Sequence, residues 1–117
     1  MNLQCSFFFC LYLPAASLSV EIFKEYVDTI HELYSVYSQI GTVIFAGDFN
    51  ANVRGPRVNS PKGERCKYLQ NVLDDLNLIS LNTQECCTGP TYTFQGYENG
   101  PCTNIDHIII PIDVPLE

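Results

Sequence analysis

Residues 43–53 read VIFAGDFNANV. The first half is an apolar, β-branched run of strand length, and residues 42–47 are read as a strand on that basis. Gly47 then leads into Asp48, Phe49 and Asn50. In open α/β sheets, ligands sit beyond the carboxyl ends of strands, where the next side chains project into a crevice. Asp48 and Asn50 are two apart, so extended backbone would place them on one face. A carboxylate there can deprotonate or orient a water, or hold a hard cation. A neighbouring amide can donate to a phosphoryl oxygen. The pair suits hydrolysis of a phosphate ester. The same residues also suit a strand end followed by a turn capped by Asp and Asn.

Working outward, the segment upstream supplies a partner strand and a crossover. Residues 7–13, FFFCLYL, are an aromatic run closed by Pro14, as in a buried strand that leaves its sheet at a proline. Ser17 or Ser19 can cap the next element, and Glu21 and Glu25 favour a helix start. Ile22, Phe23, Tyr26, Val27, Ile30, Leu33, Tyr34 and Tyr37 recur at helical spacing, which predicts an amphipathic helix over 20–39, ended by Gly41. Strand, helix, strand in this order is one crossover unit with parallel strands.

Downstream, Gly55, Pro56, Pro61 and Gly63 mark 52–62 as a loop. Tyr68, Leu69, Val72, Leu73 and Leu76 share one face of a second helix over 64–77. Short strands follow at 78–82, 91–95 and 104–110, the last two joined by the turn-rich GYENGPCT. The predicted order is β-α-β-loop-α-β-β-β, a mixed α/β layout in one domain spanning 1–117. If 91–95 and 104–110 pair as a hairpin, Thr93 and Asp106 face each other near its open end. His107 would then point to the opposite face from Asp106. Alone, Asp106 reads equally as a cap and His107 as a partly buried strand residue.

Composition bounds the rest. The 117 residues are 46% hydrophobic and 16% charged, enough for a packed core and unlike a disordered chain. The net charge of −7 would repel nucleic acid if it were spread evenly. It is not. Arg54, Arg57, Lys62, Arg65 and Lys67 hold five of the six positive charges, directly after Asn50. That segment is a candidate nucleic-acid contact, or simply a solvated loop and helix start. The six cysteines form no C-x-x-C pair, and Cys10 and Cys66 are separated by a helix, a strand and a loop. Free thiols in a reducing compartment are expected, with no zinc site. A secreted cysteine-containing domain is the alternative, since SFFFCLYLPAAS loosely resembles a signal-peptide core. It lacks a preceding Lys or Arg. No apolar run reaches the length of a membrane span.

Taken together, LYLPAAS, VIFAGDFNANV, TYTF and IDHIII, in this order, resemble the endonuclease/exonuclease/phosphatase superfamily, and especially the endonuclease domains of LINE-type retrotransposons. The intervening helices KEYVDTIHELYSVYSQ and CKYLQNVLDDLNLISLN look similar too. The resemblance implies part of a four-layer sandwich of two face-packed β-sheets flanked by helices. It implies a Mg²⁺-dependent phosphodiesterase that nicks DNA. Asp48 would act on the water, Asn50 on the phosphate and Asp106 on a catalytic His, with Thr93 ordering the site. A downstream reverse transcriptase and a nuclear location would accompany an intact element. The chain departs from the family where it matters for turnover. The Ser-Asp-His motif and the metal-binding Glu have no counterpart in these residues. An incomplete domain, inactive as an isolated chain, is the expectation; a polyanion-binding remnant using 54–67 is the alternative.

Overall fold

The computed structural model describes residues 5–15, 17–54, 63–84, 94–95, 102–103 and 105–113. Strand β1 (Cys5–Tyr12) is followed by helix α1 (Val20–Tyr37) and strand β2 (Gly41–Asp48). Helix α2 (Glu64–Asp75) leads into β3 (Leu78–Ser80) and a single 3-10 turn, Leu81–Thr83. Two short strands, β4 (Phe94–Gln95) and β5 (Cys102–Thr103), precede β6 (Asp106–Pro111).

The main sheet has the order β1-β2-β6-β3. β1 and β2 are parallel and in unbroken register from Cys5↔Gly41 to Tyr12↔Asp48, as the crossover reading predicts. β6 is antiparallel to both neighbours, β2 and β3. The protein is therefore mixed α/β, with one mixed four-stranded sheet and two helices among the described residues.

The hairpin between 91–95 and 104–110, raised as a condition from the sequence, is not the pairing of the described residues. β4 pairs with β5 as a separate two-stranded ribbon, and β6 enters the main sheet. The physical reason lies in side-chain character. β6 carries Ile108, Ile109 and Ile110 and gains two apolar neighbours, β2 and β3, where a hairpin partner would give it one. Thr91, Tyr92 and Thr93 lie outside the described residues.

Both helices cover one face of the sheet. Ser19 caps α1, its Oγ accepting from the Ile22 N–H at 3.3 Å. α1 ends at Tyr37 with Ser38 as its cap, three residues before Gly41, which already belongs to β2. Phe23, Val27 and Ile30 point inward and meet Val43, Phe45, Leu69, Leu73 and Ile109 in one core. Ile22 and Tyr26, read as core from their spacing, sit on the exposed flank. Arg65 fastens α2 to the β1–α1 connection. Its guanidinium donates to the Pro14 and Leu18 carbonyls and lies 5.1 Å over the Phe23 ring. Lys24 and Glu64 join the two helices at 2.8 Å, and the Tyr68 hydroxyl donates to Asp28 at 2.6 Å. The Lys24 ammonium holds the Glu64 carboxyl below its usual range.

No helix among the described residues is long and apolar enough to cross a membrane.

Candidate functional site at the end of the second strand

β2 ends at a steric constraint. Gly47 has φ +141°, a conformation closed to most L-residues, and a Cβ there would lie 2.0 Å from the Leu11 carbonyl oxygen. Only glycine lets β1 and β2 stay paired while the chain turns outward. The turn begins at once. The Leu13 N–H donates to the Asp48 carbonyl at 2.8 Å, and the Phe49 N–H to the Ile105 carbonyl at 2.7 Å. Both neighbouring strands thus hold the segment in place.

Beyond this point the chain alternates. Phe49, Ala51 and Val53 are buried in the core, while Asp48, Asn50 and Asn52 are half-buried. Asn50 is not extended, however. Its φ is +47°, a left-handed conformation that Asn tolerates better than most residues. Asp48 and Asn50 come together through a turn and not through strand alternation. The Asp48 Oδ1 accepts from the Asn50 N–H at 2.9 Å, closing an Asx-type turn. The Asn50 Nδ2 donates to the Leu13 carbonyl at 2.6 Å, tying the turn to the end of β1. The capped-turn reading of these residues therefore holds as local geometry. It uses one carboxylate oxygen of Asp48 and one amide N–H of Asn50. Among the described residues, the other Asp48 oxygen, the Asn50 carbonyl oxygen and its second N–H meet no partner.

Asp106 joins this site from the far side. It is the cross-strand partner of Asp48, so the two carboxylates share one face of the sheet. That face is the one turned away from the helices. Asp48 and Asp106, with Ala46, Gly47, Asn82, His107 and Ile108, line an open cleft of roughly 390 Å³. The positions read from the sequence, Asp48, Asn50 and Asp106, are thus neighbours in space. Thr93 lies outside the described residues.

His107 takes the other face, as alternation requires. It is buried, with its Nε2 donating to the Ala51 carbonyl at 2.9 Å and its Nδ1 2.8 Å from the Ser80 hydroxyl. A carbonyl only accepts, so Nε2 carries the proton in the neutral ring. Phe49 packs edge-on against it at 5.6 Å. His107 binds β6, β3 and the segment after Asn50 into one unit and does not reach into the cleft as a base. Sequence reading missed two supports. Asn82 donates from Nδ2 to the Asp106 carbonyl at 3.1 Å, and the Ser80 hydroxyl, with one proton to give, lies 2.6 Å from Asn82 Oδ1 as well as beside His107 Nδ1. Nothing in LISLN marks those residues.

The basic segment divides. The Arg54 Nη2 donates to both oxygens of Asp74, at 2.9 and 3.1 Å, and its backbone N–H to the buried Gln70 side chain. Arg65 is engaged as described. Lys67 is exposed beside Lys24 and Tyr68. Arg57 and Lys62 lie outside the described residues. Among the described residues no cluster of three or more His, Cys, Asp or Glu side chains is arranged to hold a metal. Cys5, Cys10 and Cys66 are free thiols.

No protein-family model matches this sequence, and no curated protein matches it.

Proposed function

We propose that these residues are part of a Mg²⁺-dependent phosphodiesterase of the endonuclease/exonuclease/phosphatase kind, acting on DNA. The observation that carries this reading is the cross-strand pair Asp48 and Asp106 on one cleft, with Asn50 held beside them. Asp48 has an oxygen left to orient or deprotonate a water. Asn50, fixed through Leu13, turns its second N–H to a phosphoryl oxygen. Asp106 is the partner for an imidazole supplied from outside these residues. The two carboxylates are hard oxygen donors of the kind Mg²⁺ takes, one or two at a time, with water and phosphate completing its shell. Bound there, the ion would offset phosphate charge. In this proposal the four-stranded sheet is one of two in a four-layer sandwich. The partners are DNA and, in an intact retrotransposon product working in the nucleus, a downstream reverse transcriptase.

These 117 residues contain no counterpart of the family's metal-binding Glu or Ser-Asp-His, so the isolated chain is expected to give no measurable turnover. The test is supercoiled-plasmid nicking by the polypeptide translated from the full-length transcript. Asp48→Ala and Asp106→Ala should each abolish Mg²⁺-dependent nicking. Unchanged nicking in Asp48→Ala sinks the assignment.

A further inference from the structure

The basic stretch after Asn50 has the charge for a nucleic-acid contact, yet Arg65 turns its donors inward. Half-buried at the start of α2, it donates from Nη1 to the Pro14 carbonyl at 3.3 Å and from Nη2 to the Leu18 carbonyl. Both acceptors are neutral, so the guanidinium fork holds backbone and pairs no charge there. What it holds adjoins the candidate site. The Leu13 N–H donates to the Asp48 carbonyl at 2.8 Å, and the Leu13 carbonyl accepts from Asn50 Nδ2 at 2.6 Å. Leu13 thus touches both site residues through its backbone, and the next carbonyl along the chain is the one Arg65 takes.

Pro14 makes this adjacency rigid. Its ring fixes φ, and the peptide before it is trans. The rotation left at Pro14 is ψ, and a donor on the Pro14 carbonyl stops it. The direction of the Leu13 carbonyl then follows the position of Arg65. Pro14 has no N–H with which to anchor the chain itself. α2 grips the other side of the site as well. Cys66, next to Arg65, accepts at Sγ from the Asn52 N–H at 3.3 Å. Consecutive residues of one helix therefore hold the two backbone segments that the Asn50 side chain ties together.

We propose that Arg65 is a positioning residue for Asn50, acting through Pro14 and Leu13, and not a contact to nucleic acid. Its guanidinium sets the Leu13 carbonyl, that carbonyl holds one N–H of the Asn50 amide, and the second N–H is left for a phosphoryl oxygen. The last step rests on the phosphodiesterase reading. The coupling of Arg65 to the Asn50 amide does not.

Two measurements keep these apart. The first is solvent exchange of the Asn50 side-chain amide protons by NMR in the 117-residue chain, the signals being those that Asn50→Gly removes. Arg65→Met keeps the apolar stem over Phe23 and removes the donors. It should speed exchange of the Asn50 amide about tenfold, while the backbone amides of α1 and α2 keep their wild-type rates. Unchanged Asn50 exchange overturns the proposal. So does equal loosening of both helices, because Arg65 then braces the whole fold and not the site. If Arg65→Met does not fold, Arg65→Lys, with one nitrogen in place of the fork, gives the same readout. The second measurement is plasmid nicking by the polypeptide from the full-length transcript. Arg65→Met should lower kcat about tenfold and leave KM and the salt dependence of DNA binding unchanged. A wild-type kcat overturns the proposal, as does a fall of about one in the slope of log Kd against log salt, the mark of a lost phosphate contact. Where wild type itself does not nick, the phosphodiesterase reading fails and the Asn50 amide still decides for Arg65.

Discussion

Replacing Gly47 by alanine should unfold the junction that builds the candidate site. The added Cβ would sit 2.0 Å from the Leu11 carbonyl oxygen and 3.0 Å from two further Leu11 backbone atoms. All three are backbone, so no side chain can swing aside. β1 must move away from β2 by more than an ångström locally, which lengthens the ladder bonds on either side. Independently, alanine must hold φ near +141°, at a cost of about 1–3 kcal/mol. Losing one or two ladder bonds adds about 1 kcal/mol each. The sum is about 3 kcal/mol or more, a large part of the 5–15 kcal/mol typical of a domain. Urea unfolding followed by far-UV circular dichroism measures it, as a fall in midpoint at unchanged slope. A Gly47→Ala chain within about 0.5 kcal/mol of wild type would refute the steric account.

Other substitutions test neighbouring links. Asn50→Gly keeps the left-handed turn and loses only the bond to Leu13, so it should cost about 1 kcal/mol in the same urea assay. Asn50→Asp should cost more, because it sets an acceptor against the Leu13 carbonyl. His107→Ala leaves the Ala51 carbonyl and the Ser80 hydroxyl without their ring partner and opens a cavity, for about 2–4 kcal/mol; thermal melts should show it. The Glu64 carboxyl has its folded pKa lowered by Lys24, so the pair stabilises the protein above the carboxylate's ordinary titration. That contribution is lost as pH falls through the lowered folded value. Glu64→Gln should therefore narrow its stability gap to wild type as acid is added below roughly pH 4.5, and salt should shrink the gap at neutral pH.

The parts of the fold that were legible in the sequence are those set by local periodicity. β1 and β2 follow from short continuous apolar runs, α1 and α2 from apolar residues at helical spacing, and the parallel crossover from their order. What was not legible is non-local. Nothing in NIDHIII says whether its partner is the nearby TYTFQ or the distant VIFAGD, since both offer β-branched and aromatic neighbours. Within α1 the spacing admits Ile22 and Tyr26 to the apolar face, and only the position of β2 beneath Phe23, Val27 and Ile30 excludes them. Asp48, Asn50 and Asp106 were identifiable as chemistry-bearing residues at strand ends. The turn that joins Asp48 to Asn50 was legible as one of two readings, but the β2–β6 pairing that sets Asp106 opposite Asp48 was not, because it depends on β6 lying in the main sheet. The double engagement of Arg65 also escaped the sequence, which shows a cationic residue but not which carbonyls surround it.

The insertion of β6 between β2 and β3 has a consequence for how the chain is made. β2 emerges from the ribosome with β1 and α1, but its second neighbour is encoded roughly 60 residues later, which at typical elongation rates is several seconds of synthesis. β3 also appears before the strand it must pair with. For that interval the nascent chain carries β2 and β3 as strands still waiting for the one between them. β6 is the keystone of this sheet, and any ribosomal pause ahead of Asp106 prolongs the time in which a chaperone, or another nascent chain, can occupy its slot.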